Sequence, residues 1–206
     1  PPREEGETVM NRRSMATFAA TTALIAAVNS AACFSPNATS ASAQNPAKIA
    51  RGQYLVTVGG CNDCHTPLKM GANGPEPDMA RMLSGHPEAL KITAPAQLPP
   101  GPWMIASAPT NTAHSGPWGV SFTANLTPDD NTGLGIWTED MFIKALRTGR
   151  HMGASREILP PMPWQNYGRM TDEDLKAVYA YLRSVPPVHN RVPEPLPPSG
   201  AAVATN

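Results

Sequence analysis

Five consecutive residues, Cys61-Asn62-Asp63-Cys64-His65, gather the most reactive side chains of the sequence. Two thiols three positions apart, with a histidine directly after the second, is the attachment spacing of c-type haem. The reason is geometric. The thiols reach the two vinyl groups of one porphyrin and form thioethers, and the next residue brings its imidazole under the iron. What then varies between such proteins is the second axial ligand, the polarity of the far face and the solvent access of the edge. The motif occurs once, which predicts one haem and argues against a dihaem or multihaem chain.

Other chemistries of paired cysteines fit less well. A thioredoxin-like redox pair needs a strand before the motif and a helix after it; here a helical pattern precedes it and Thr66-Pro67 follows. A structural zinc site needs four closed ligands. No cysteine follows Cys64, and His86, His114, His151 and His189 show no paired spacing. A disulfide across two intervening residues would be strained.

The second axial position can be filled by Met or His, or left open. Methionines 70, 79, 82, 104, 141, 152 and 170 read as adaptable packing residues. Met162 differs, because it lies in Leu159-Pro160-Pro161-Met162-Pro163-Trp164. Three prolines stiffen this segment, and a stiff loop can present a thioether at low entropic cost. Met162 is therefore the expected ligand, with Met152, His151 and His114 as alternatives. An ordinary core methionine beside Trp164 is the bland reading.

Few regular elements are expected to position these residues. With 24 prolines in 206 residues, against about one in twenty in average proteins, many amides cannot join helices or sheets. Residues 46–58 read as a helix with Pro46 in its first turn and Gly59-Gly60 ending it. Residues 138–148 read as a second, capped by Thr138, opened by Glu139 and Asp140 and closed by Gly149. The third and clearest spans 171–184, with Thr171 as cap and Leu175, Val178, Tyr179 and Leu182 on one face. From Thr66 to about Thr123 an irregular loop is predicted, with a turn of helix near 77–83. So long a loop fits a compact domain only if it wraps something other than protein. The expected fold class is all-α, with a few helices around one covalent haem and long irregular loops.

The ends divide differently. Arg12-Arg13, an apolar stretch over 15–28 and Ala41-Ser42-Ala43 have the layout of a secretory signal peptide, too short and too rich in Ala and Thr for a stable membrane span. Residues 1–43 are thus expected to be an extension plus a cleavable signal, 44–192 the domain, and 193–206 a Pro-rich flexible tail. Cleavage removes Cys33 and leaves the motif's two cysteines. Sixteen Lys and Arg balance sixteen Asp and Glu, which excludes a design for nucleic-acid binding. Lys144, Arg147, Arg150 and Arg156 still form a local basic cluster, which reads as a solvated face, a neutraliser of haem carboxylates or a dock for an acidic partner.

Taken together, Arg51 to Val56, Gly60 to Pro67, Ala124-Asn125-Leu126-Thr127-Pro128-Asp129, Thr132 to Thr138, Leu159 to Trp164 and Thr171 to Leu182 resemble a class I monohaem cytochrome c. The likeness spans about residues 46–188. It is nearest to the cytochrome c domains of bacterial alcohol, aldehyde and sugar-acid dehydrogenase cytochrome subunits, which often carry three such domains. The resemblance implies haem c joined through Cys61 and Cys64, iron ligands His65 and Met162, and crossed first and last helices meeting at Gly52 near Tyr181 or Val178. It also implies Asn125 and Thr127 beside the haem, bonding a propionate or a neighbouring loop. Trp137, Trp164 and Tyr167 would pack on the haem, and Pro75, or else Pro67 or Pro77, would offer a carbonyl to the second nitrogen of His65. The function implied is a periplasmic one-electron carrier and not an enzyme. It would dock transiently with redox partners, a dehydrogenase donor and an oxidase or other cytochrome acceptor, with a membrane-bound complex among the candidates. The alternatives are a cytochrome subunit of a dehydrogenase complex and a five-coordinate haem sensor.

Overall fold

Asn45 caps the first described helix, its side chain accepting from the Ala47 amide at 3.0 Å. That helix, α1, runs Pro46–Val58, as expected, and stops at Gly59-Gly60. A computed structural model describes residues 45–199. The signal-peptide expectation at 1–43 lies outside the described residues, as do positions 200–206 of the tail.

Gly60 takes a left-handed conformation (φ 67°) and turns the chain directly into α2, Cys61–His65. Near the C-terminus Thr171 caps α5, Asp172–Leu182, with its hydroxyl accepting from the Asp174 amide. Helix α1 packs on α5 more extensively than any other pair of elements pack together. The approach is set by Gly52: a Cβ there would lie 1.9 Å from the carbonyl oxygen of Ala177 and 2.8 Å from Tyr181 Cβ. The expected crossing at Gly52 is present, with the backbone of Ala177 as its main partner. Leu55 and Val56 from α1 and Ala177, Val178 and Leu182 from α5 form the core with Leu83, Leu134 and Phe142. Truncating a fully buried leucine such as Leu175 to Ala costs about 2–5 kcal/mol. Phe142 comes from α3, Glu139–Thr148, capped by Thr138 and ended by left-handed Gly149, both as predicted. A short helix, α4, spans Trp164–Tyr167.

The segment 66–123 corrects the all-α expectation. It contains a hairpin of β1, Leu68–Gly71, with β2, Gly74–Pro77. A second, three-stranded antiparallel sheet joins β3, Ala106–Ser107, β4, Ala113–Gly116, and β5, Gly119–Phe122. The expected turn of helix appears at Met79–Arg81. The strands are two to four residues long, too short for an alternating pattern to stand out between prolines. Among them Ala113, Val120 and Phe122 make a second small core.

Within the segment expected to be a Pro-rich tail, the structure shows a backbone pairing at Leu196. Leu196 pairs with Val120 through both backbone hydrogen bonds, at 2.9 Å each, and packs on the second core. Gly119 permits the approach, since a Cβ there would meet the Leu196 carbonyl at 2.0 Å. Extended Pro-rich backbone offers few amides, but Leu196 has one, and it finds the free edge of β5. No helix among the described residues is long and apolar enough to cross a membrane.

Candidate haem site

Cys61 and Cys64 lie one helical turn apart on α2 and are not joined to each other. Burial pushes the Cys61 thiol up to about 11, and burial also raises Cys64. Both are therefore protonated at neutral pH and lack the depressed pKa of a redox-active pair. Among the described residues there is no cluster of three or more His, Cys, Asp or Glu side chains that could hold a metal ion.

His65 closes α2 and is 8% exposed. Its Nδ1 lies 2.8 Å from the carbonyl oxygen of Ala124. A carbonyl can only accept, so Nδ1 carries the hydrogen and Nε2 keeps a bare lone pair. Desolvation lowers the pKa of the ring and keeps it neutral. An imidazole oriented in this way, with Nε2 as donor, is what an axial ligand requires. The carbonyl expected from Pro75, Pro67 or Pro77 is thus supplied by Ala124 instead. Pro75 and Pro77 lie exposed in β2, and the Pro67 carbonyl accepts from the Asp78 amide. No side-chain signal marks Ala124, because any residue has a carbonyl.

Asn125, 4% exposed, spends its amide within the protein. Nδ2 donates to the Val188 carbonyl at 2.8 Å, and Oδ1 accepts from the Thr127 hydroxyl at 2.8 Å and amide at 3.0 Å. Of its two expected roles the structure displays the loop tie, and both ends of the amide are committed to it. Asn190, which the sequence reading passed over, is its counterpart: Nδ2 donates to the carbonyls of Ser84 and His86, and Oδ1 accepts from Glu88. Together they fasten the chain after α5 to the loop beneath α2.

Met162 sits half-buried in a segment anchored on both sides. Before it, the Pro160 carbonyl accepts from Ser121 Oγ on β5 at 2.6 Å. After it, the Tyr167 hydroxyl donates to the Gly59 carbonyl, two residues ahead of Cys61. Tyr167 lies close enough to both thiols for their charges to raise its pKa, after burial as the larger cause. The Met162 segment, the cysteine turn and the β5–Ala124 strand are thereby drawn to one region. Trp164 lies over Gly149, where a Cβ would meet the indole at 2.3 Å. Trp137 packs against the main core, with its ring edge-on to His151 at 5.0 Å. The basic cluster is largely paired: Arg147 with Asp172, Arg150 with Glu157, Arg156 with Glu194.

A family model described as Cytochrome c matches residues 49–186. The chain belongs to the cytochrome c family. Its cofactor is covalent haem c, and the residues present fit it: two thiols one turn apart and a neutral imidazole with a free Nε2. This cytochrome c is similar to the fructose dehydrogenase cytochrome subunit of Gluconobacter japonicus, 32% identical over 82% of this chain and 28% of that protein. It also resembles the gluconate 2-dehydrogenase cytochrome c subunit of Pantoea cypripedii, 31% identical over 70% of this chain and 25% of that one. The alcohol dehydrogenase (quinone) cytochrome c subunit of Gluconobacter oxydans is 30% identical over 72% and 24% respectively. The cytochrome c spans about a quarter of the length of these relatives.

Proposed function

We propose that this cytochrome c is an exported, periplasmic one-electron carrier of class I design, its loops elaborated by two small sheets, with His65 and Met162 as axial ligands. The observation that carries the proposal is the bond from His65 Nδ1 to the Ala124 carbonyl, which leaves Nε2 as a fixed, neutral donor beside two thiols. The bound haem supplies an iron that gains and loses one electron. Cys61 and Cys64 hold it to the chain, and the Ala124 carbonyl sets the plane of the His65 ring. Pro160 and Tyr167, tied to β5 and to Gly59, brace the segment that carries Met162. His65 and Met162 would both be taken up in holding the iron, so the protein would move charge without transforming a substrate. Met/His ligation also favours a raised potential.

The relatives' names point to a dehydrogenase as donor, whether this chain works as a free shuttle or within a complex. The decisive experiment starts with the mature protein made alongside a haem-maturation system. Haem should survive denaturation, titrate with one electron and be reduced by a quinone- or flavin-dependent dehydrogenase and its substrate. A colourless product rejects the reading. Rapid binding of carbon monoxide to the resting reduced protein would favour the five-coordinate sensor.

A further inference from the structure

Leu83 and Gly85 both take left-handed backbone, with φ 62° and 77°. A bulky residue held there costs of order 1–3 kcal/mol and persists only where its surroundings fix it. Leu83 is fully buried, and so are Ser84 and His86. Strain held in this way gathers at functional sites.

The turn 83–86 is bound on both flanks. Toward α2, the Leu83 amide donates to the Thr66 hydroxyl at 2.9 Å, and that hydroxyl donates to Asn62 Oδ1. The Gly85 amide donates to the His65 carbonyl at 2.8 Å. Toward the strand after β5, the His86 amide donates to the Thr123 carbonyl at 3.0 Å, and the Leu83 carbonyl accepts from the Leu126 amide at 2.8 Å. Asn190 clips the turn, its Nδ2 donating to the Ser84 and His86 carbonyls at 2.7 and 2.8 Å. The turn thus lies against both residues whose contact orients the axial ring, His65 and Ala124.

Gly85 is the point of closest approach. A Cβ there would lie 2.4 Å from the Thr123 carbonyl oxygen and 2.6 Å from both the carbon and the oxygen of the Ala124 carbonyl. These are backbone atoms, which cannot swing aside as the end of a side chain can. Any side chain at this position would press on the same oxygen to which His65 Nδ1 donates at 2.8 Å. A hydrogen bond weakens steeply as its alignment is lost.

We infer that Gly85 is a positioning residue for the axial imidazole: its amide holds the His65 main chain while its bare α-carbon lets the Ala124 carbonyl close on Nδ1. Asn190 supports it by fixing the carbonyls on either side. Donation from Nδ1 to a carbonyl makes Nε2 the more basic ligand, which favours ferric over ferrous iron. Relaxing that contact therefore raises the midpoint potential.

This inference rests on the haem reading above, and one set of variants separates the two. Holoprotein with isotopically labelled histidine is prepared as wild type, Gly85→Ala, Asn190→Ala and Gly74→Ala. Gly74 is the control: its φ is also positive, at 116°, but a Cβ there meets nothing within 4 Å, so alanine strains the backbone without pressing on the site. In Gly85→Ala the His65 Nδ1 proton of the reduced protein should resonate upfield and exchange several-fold faster. The midpoint potential should rise, with covalent haem and the sulfur-to-iron charge-transfer band intact. Asn190→Ala should move both readouts in the same direction by less, and Gly74→Ala should lower stability and move neither. A destabilised Gly85→Ala with the wild-type potential and ring-proton signal overturns the inference, because a purely structural glycine would behave that way. So does an equal shift in Gly74→Ala. Should Gly85→Ala not accumulate, Asn190→Ala decides alone, and an unmoved ring proton there overturns the inference. Wild type without covalent haem rejects the haem reading, and this inference with it.

Discussion

His65 shows how one hydrogen bond selects a chemistry. The Ala124 carbonyl fixes the tautomer, burial keeps the ring neutral, and the lone pair on Nε2 is left over. Met162 has no such mark; its assignment leans on the prolines around it and on the anchors at Pro160 and Tyr167. Met162→Ala should keep covalent haem, lose the sulfur-to-iron absorption and lower the midpoint potential. An unchanged visible spectrum would remove Met162 as ligand. The cysteine–histidine run was legible because its chemistry fixes its spacing. Asn125 was legible as a buried polar residue but not in its partners, since Val188 and Thr132 lie far along the chain or carry no distinguishing signal.

The three long helices α1, α3 and α5 were readable almost to the residue, because caps and stops are local, whereas the one-turn helices α2 and α4 were not read. Asn45, Thr138 and Thr171 each accept from an amide of the first turn. Replacing Thr171 by Ala should cost about 1 kcal/mol in a denaturant melt. The crossing of α1 and α5 is less forgiving. Gly52→Ala would place a methyl inside the Ala177 carbonyl, and overpacking of this kind costs about 1–3 kcal/mol. A melt identical to wild type would mean that the crossing does not depend on Gly52. The sheets were not readable. Their strands are too short for periodicity, and they pair with segments such as Leu196 that are far away in sequence. Removing the tail from residue 193 should speed hydrogen exchange at the Val120 amide; protection that survives the truncation would show that the Leu196 pairing contributes nothing.

Only fourteen apolar side chains are buried among the described residues, and eleven of them fall into two separate clusters. So small a protein core supports the view that the cofactor completes it. Cys61→Ala combined with Cys64→Ala should therefore abolish covalent haem and leave the chain largely unfolded. A native-like circular dichroism spectrum and a cooperative melt in that variant would refute the argument. Buried imidazoles add a pH limit. Burial depresses the pKa values of His65, His86 and His114. The unfolded chain thus binds more protons than the folded one below about pH 6.5, the ordinary histidine value. Stability should be full above that pH and decline as pH falls toward the folded values. Denaturation midpoints measured from pH 8 downward, and expected to drop before carboxylates titrate, check this.

The acceptor that orients His65 belongs to the main chain, which places it beyond the reach of ordinary mutagenesis. No codon change deletes a peptide oxygen. Variation at position 124 can only shift the strand that carries it, so natural drift and laboratory libraries alike would adjust the donor strength of the imidazole in small steps. Abolishing that contact outright would take a backbone-altered, semisynthetic protein.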